Sequence, residues 1–152
     1  MAGLALMLVV AGCGGSSSHK ASQTSPAQPA ARPGDETVIR GWNKAVNGGD
    51  YEKAASYFAR NAIVMQDYIL QLPNHKIAVE WNSGLPCRAD ITFIKAERAT
   101  SLAGFHLRTG RSGACTGGGS AQVRFTIRGG LIQRWQQILQ PQAQQQPQTP
   151  AT

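Results

Sequence analysis

The apolar residues of this chain change their period once, near Cys87, and that change limits the folds open to it. Before it they recur at helical spacing: Val38, Ile39, Trp42, Ala45 and Val46 form one stripe, and Tyr51, Ala54, Ala55 and Phe58 a shorter one. After it they alternate. Ala121, Val123, Phe125 and Ile127 take turns with Gln122, Arg124, Thr126 and Arg128, the pattern of a strand with one buried face and one wet, cationic face. Helices first and a meander of strands afterwards predict an α+β domain, its helices laid on one side of an antiparallel sheet.

Local signals place the elements. Asp35 is expected to cap a helix beginning near Glu36, which Asn47-Gly48-Gly49 stops. Asp50 caps a second, short helix that runs to Phe58, with mostly small apolar residues that let two helices approach closely. Residues 62–65 read as a brief strand, whereas residues 68–73 are apolar without an assignable period. Residues 75–83 form a third helix with Ile77, Ala78 and Trp81 inward, ended by Gly84 and Pro86. Strands are expected at 91–96, 102–108, 121–128 and 131–139, the last two joined by a Gly129-Gly130 hairpin turn.

The ends of the 152-residue chain read differently. Residues 1–12 form a secretory leader whose apolar stretch, 4–11, falls far short of the roughly 20 residues that span a bilayer. Its end, Val10-Ala11-Gly12-Cys13, resembles the lipobox of bacterial lipoproteins. The resemblance implies cleavage before Cys13, a diacylglycerol on its sulfur, and an extracytoplasmic address anchored to the cell membrane. Residues 13–34, rich in Ser, Gln, Ala and Gly with three prolines, read as a flexible tether, and the Gln/Pro-rich residues 140–152 as a disordered tail. One domain, residues 35–139, remains between them.

With Cys13 given to lipid, Cys87 and Cys115 form an even extracytoplasmic pair, most simply a disulfide. Such a bond stabilises by about 3–4 kcal/mol on the chain-entropy account. A redox or nucleophilic cysteine lacks support, because there is no Cys-x-x-Cys motif and no activating neighbour in sequence.

Three segments carry a second resemblance: Trp42-Asn43-Lys44-Ala45-Val46-Asn47-Gly48-Gly49-Asp50-Tyr51, then Ala59-Arg60-Asn61-Ala62-Ile63-Val64, then Phe125-Thr126-Ile127-Arg128-Gly129-Gly130-Leu131-Ile132-Gln133-Arg134-Trp135. In that order they resemble the nuclear transport factor 2-like (SnoaL-like) superfamily. The resemblance implies a cone, with helices across a strongly curved sheet and a pocket at the open end. Its members include isomerases, cyclases, dehydratases and non-catalytic binding modules, and many dimerise through the sheet, so the fold leaves the function open.

Candidate chemistry is sparse. Proton transfer in such a pocket needs buried carboxylates, tyrosines or histidines, and the candidates are Asp67, Tyr68 and His106, with Asp90 and Glu97 behind them. No catalytic residue can be aligned with those of the family's enzymes. Trp42, Phe58 and Trp81 are candidate pocket walls. His19, His75 and His106 lie too far apart for a metal motif, and Gly117-Gly118-Gly119 lacks the Lys-Ser or Lys-Thr of a phosphate loop, so no metal or cofactor is expected.

The formal net charge of +7 is uneven. Residues 88–134 carry eight basic side chains against Asp90 and Glu97, whereas residues 35–87 are nearly balanced. That points to an anionic envelope polymer or an envelope protein as partner, besides the bilayer reached through Cys13. Nucleic acid is not expected, because no aromatic–basic binding motif is present. The leading expectation is a membrane-anchored, non-enzymatic module that binds a small apolar ligand or an envelope protein. The alternative is a SnoaL-like or ketosteroid isomerase-like pocket enzyme, an isomerase or cyclase. The intact mass of membrane-extracted protein tests the anchor: loss of residues 1–12 with a gain of acyl chains is expected, and Cys13→Ser should release the protein from the membrane fraction.

Overall fold

The computed structural model describes residues 30–110, 115 and 117–139. Its first helix, α1 (Pro33–Gly48), starts three residues before the expected point. Pro33 explains the shift: with φ already helical and no N–H to satisfy, proline is suited to the first turn. Asp35 therefore caps nothing. Its carboxylate accepts a hydrogen bond from Ser101 Oγ at 2.7 Å and one from Arg32 Nη1 at 3.3 Å, tying the first turn to the sheet. Val38, Ile39, Trp42 and Ala45 form the buried stripe, and Gly49, at φ 77°, ends the helix in the left-handed conformation that glycine tolerates. Residues 30–34, expected in the tether, thus belong to the folded part, and Ala30 bridges Lys95 on the sheet edge.

Asp50 caps α2 (Tyr51–Ala55) as expected, accepting from the Lys53 amide at 3.0 Å. The helix stops earlier than expected, because the Ser56 hydroxyl turns back onto the Lys53 carbonyl at 2.7 Å and the chain then extends. Phe58 accordingly opens strand β1 (Phe58–Met65) instead of closing a helix. Ala54 and Ala55 are fully buried, and their small size lets α2 approach its neighbours. Helix α3 (His75–Ser83) has the expected bounds, with Asn74 Oδ1 accepting from the Ile77 amide at 3.0 Å.

The unassigned apolar segment contains β2 (Ile69–Leu72), which pairs antiparallel with β1. It is a short edge strand with only Leu72 buried, too short and too exposed to show a period. The other strands are β3 (Arg88–Glu97), β4 (Thr100–Arg108), β5 (Ser120–Arg128) and β6 (Leu131–Ile138), each close to its expected place. Gly129 and Gly130, both at positive φ, make the two-residue turn between Arg128 and Leu131.

The six strands run in the order β2-β1-β6-β5-β4-β3. One pairing departs from the expected antiparallel sheet: β1 lies parallel to β6, so the sheet is mixed. Side-chain alternation fixes which face is buried but not the direction of a neighbour. Register shifts interrupt β1 between Phe58 and Ile63, β3 between Ile91 and Phe93, and the β5–β6 ladder at Thr126/Ile127. Such bulges bend strands and increase their twist, which is how this sheet curves around α1. In the first, Asn61 takes φ 62°, a left-handed conformation that asparagine adopts more readily than most residues.

The core lies between the inner sheet face and the three helices. Trp42 is at its centre, edge-on to Phe58, Phe105, Phe125 and Trp135 at centroid distances of 6.4, 6.5, 5.7 and 6.3 Å. Its indole N–H reaches Asn82 Oδ1 at 2.8 Å, and the Asn82 amide in turn donates to the Ala78 carbonyl at 2.7 Å. Cys87 and Cys115 are bonded as expected, with Cα atoms 5.2 Å apart, joining the entry of β3 to the segment ahead of β5. Two stability predictions follow from these bonds. Trp42→Phe leaves a fully buried Asn82 oxygen without its donor and should cost at least about 1–3 kcal/mol in a urea unfolding titration. Reducing the disulfide should cost about 3–4 kcal/mol and lower Tm measurably.

Candidate functional site

At one end of the sheet the helices stop covering it, and a cavity of about 180 Å³ opens between α1 and the inner face. Helix α1 contributes two rows set by its own period: Trp42 and Val46, and beside them Asn43 and Asn47. Phe105 and Leu107 from β4, Ala121 and Val123 from β5, and Trp135 and Gln137 from β6 supply the opposite wall, each pair two residues apart and so on one face. Leu85, Pro86, Cys87 and Ala89 close one side, and Gln66, just after β1, another.

The two asparagines have a structural task. Asn47 accepts from the Ala89 amide at 3.0 Å and donates to the Ala89 carbonyl at 2.8 Å, while Asn43 donates to that carbonyl at 3.0 Å. The Asn47 side chain thus satisfies the backbone of Ala89, on the free edge of β3, as a neighbouring strand would. It also pins the helix to the cavity wall. Opposite them Gln66 Nε2 donates to Gln137 Oε1 at 3.2 Å. Trp135, only 4% exposed, has an indole N–H with no hydrogen-bond partner among the described residues. Among the described residues the lining contains no Asp, Glu, His, Lys, Arg or Tyr.

The sequence candidates fall elsewhere. Asp67 and Tyr68 lie in the turn after β1, and both are exposed, Tyr68 by 57%. Tyr68 borders a neighbouring surface groove that shares Gln66 and Leu85 with the cavity. His106 sits on the outer face of β4, exposed, between Asp90 and Ser120 in register, while Phe105 and Leu107 beside it face the cavity. Asp90 is paired with Arg108 at 2.8 Å, and Glu97 with Arg124 at 3.2 Å and Lys95 at 3.7 Å. Of the three expected walls, Trp42 lines the cavity. Phe58 and Trp81 stand behind it in the core, 5.4 Å apart, with Trp81 5.2 Å from Trp135. Cys13 and His19 lie outside the described residues.

Sequence reasoning missed the carboxamides and Trp135. Two signals point to them: Asn43 and Asn47 repeat at helical spacing beside the Trp42 stripe, and Gln137 follows Trp135 with strand parity. Among the described residues no group of three or more His, Cys, Asp or Glu gathers to hold a metal ion, and no helix is long and apolar enough to cross a membrane.

No protein-family model and no curated relative matches the chain in sequence. Solved structures match it in shape. A protein described as a candidate polyketide cyclase from Sinorhizobium meliloti aligns at a TM-score of 0.56 and 16% identity, covering 67% of this chain and 94% of that one. A nuclear transport factor 2-like protein of unknown function from Cytophaga hutchinsonii aligns at 0.58 and 9% identity, covering 70% and 89%. A protein described as a candidate ketosteroid isomerase from Kribbella flavida aligns at 0.54 and 14%, covering 78% and 91%.

Substitution offers a test of the exposed candidates. Asp67→Asn, Tyr68→Phe and His106→Gln should each change stability by less than about 0.5 kcal/mol, as surface positions do, and leave any ligand affinity of the cavity unaltered. The geometry and the likeness to solved structures agree on the architecture: the chain adopts the cone-shaped nuclear transport factor 2-like fold.

Proposed function

We propose that this protein is an extracytoplasmic, membrane-anchored lipoprotein whose cone-fold module binds a small, mainly apolar ligand without transforming it. One observation carries the reading of the pocket: a cavity walled by Trp42, Phe105, Leu107, Val123 and Trp135 presents no described side chain able to give or take a proton near neutral pH. Pockets with apolar walls and a few placed polar groups are the usual form of small-molecule sites. The Cys87–Cys115 disulfide supports an oxidising compartment, and the lipobox resemblance of residues 10–13 supports the anchor.

The second reading, an isomerase or cyclase, is favoured by the descriptions of two proteins of similar shape. Size and chemistry weigh against it. Sites for drug-sized ligands run to about 300–1,000 Å³, whereas this cavity offers about 180 Å³. Its polar groups are amides and an indole, which hydrogen-bond but do not shuttle protons.

A titration followed by tryptophan fluorescence tests the binding reading, because Trp42 and Trp135 both line the cavity. Acetophenone should quench saturably in the wild type. Ala121→Trp, which places a large ring in the cavity wall, should weaken that binding at least about tenfold. Equal binding by both proteins would place the ligand elsewhere. Catalytic conversion of a small β,γ-unsaturated ketone to its conjugated isomer, lost in the same variant, would establish the enzyme reading instead.

A further inference from the structure

We propose that the ligand is a neutral, flat, single-ring molecule bearing one hydrogen-bond acceptor, and that the Gln66–Gln137 carboxamide pair recognises that acceptor. The inference rests on the binding reading above and names the chemistry of the same cavity.

The aromatic wall is the first argument. Trp42 and Trp135 are equally buried, at 4% exposure each, and belong to one aromatic cluster. The Trp42 N–H has an acceptor built for it, Asn82 Oδ1 at 2.8 Å, which α3 itself holds in place. The Trp135 N–H has none among the described residues and is closed to a water molecule, so what Trp135 gives the cavity is its ring.

The amide pair is the second, independent argument. Gln137 lies two residues beyond Trp135 on β6, hence on the same face, and both line the cavity. The single bond between Gln66 Nε2 and Gln137 Oε1 leaves the Gln137 amide hydrogens and the Gln66 carbonyl oxygen for a third group. Asn43 and Asn47, by contrast, spend their amide hydrogens on Ala89. The polar end of the cavity is therefore the Gln137–Gln66 side.

Charge and size narrow the class. An ion entering this lining would give up water without meeting an opposite charge among the described residues, so neutral ligands are favoured. A cavity of about 150 Å³ is known to hold benzene, and about 180 Å³ here leaves room for a short substituent. The edges and faces of Trp42, Phe105 and Trp135 suit a flat ring.

Four probes of one size separate the possibilities: acetophenone, ethylbenzene, benzoate and benzylammonium, titrated calorimetrically into the full chain. Acetophenone should bind about tenfold more tightly than ethylbenzene, which lacks an acceptor, and at least about tenfold more tightly than either ion. The side-chain amide resonance of Gln137 should move downfield with acetophenone and not with ethylbenzene. Gln137→Leu should reduce the preference for acetophenone over ethylbenzene without abolishing ethylbenzene binding. Equal affinities for those two probes with an unmoved resonance would overturn the hydrogen-bond assignment while leaving the binding reading intact. Tightest binding of benzoate or benzylammonium would overturn neutrality. Binding of none of the four would remove the cavity-binding reading itself, and this inference with it.

Discussion

The architecture depends on how one side chain is buried. Trp42 brings a large apolar body and a single polar atom into the core, and both need partners. Four rings meet the body, from β1, β4, β5 and β6, so the distance between α1 and most of the sheet is set by contacts of one residue. The polar atom requires an acceptor in a place without water. Asn82 supplies it, and Asn82 is itself fixed by the helical carbonyl of Ala78 four residues earlier. The hydrogen-bond chain thus couples α1 to α3, while the ring contacts couple α1 to the sheet. Asp35 and Ser101 fasten the start of α1, Asn47 and Ala89 its end, and the helix is held at both ends and in the middle.

The cavity is a consequence of that fastening. A sheet bent by bulges cannot follow a straight helix along its whole length, so the two surfaces separate where the large rings end. Beyond Trp42 the lining side chains shrink to Val46, Ala89, Ala121 and Val123. These small side chains leave the gap open, and the carboxamides of Asn43, Asn47, Gln66 and Gln137 edge it. The disulfide at Cys87 contributes to the same wall, so the link that stabilises the loops also holds the rim of the cavity.

Much of this was legible in the sequence, and the parts that were not share a cause. Periodicity revealed α1, α3 and four of the strands because each buries one face against the core, and burial is what writes a period into a sequence. The Gly129-Gly130 turn and the Asp50 cap were equally plain, since each is a local requirement met by a residue type. Phe58 was assigned to a helix because it continues the spacing of Ala54 and Ala55, and the turn at Ser56 that breaks the helix leaves no period of its own. The edge strand β2 and the parallel pairing of β1 with β6 escaped because neither is written in alternation. At the site, Trp42 was found by its stripe. The amides were not, since Asn and Gln on an element read as solvent-facing until the opposing wall is known.

The chemistry of the cavity turns on the difference between an amide and an acid. Gln66 and Gln137 give the wall donors and acceptors without charge, so the pocket can be dry and polar at once, whereas a lone carboxylate there would resist ionisation in apolar surroundings. A carboxyl held in that way is the usual starting point for proton transfer near neutral pH. On this scaffold the step from a site that selects by shape and hydrogen bonding to one equipped with a general base is one glutamine-to-glutamate change. Charge is kept where it costs least: the two carboxylates of the sheet half, Asp90 and Glu97, are engaged with Arg108, Arg124 and Lys95, away from the cavity lining. Neutral lining and cationic exterior can therefore vary independently, because mutations on one face of each strand leave the other face in place.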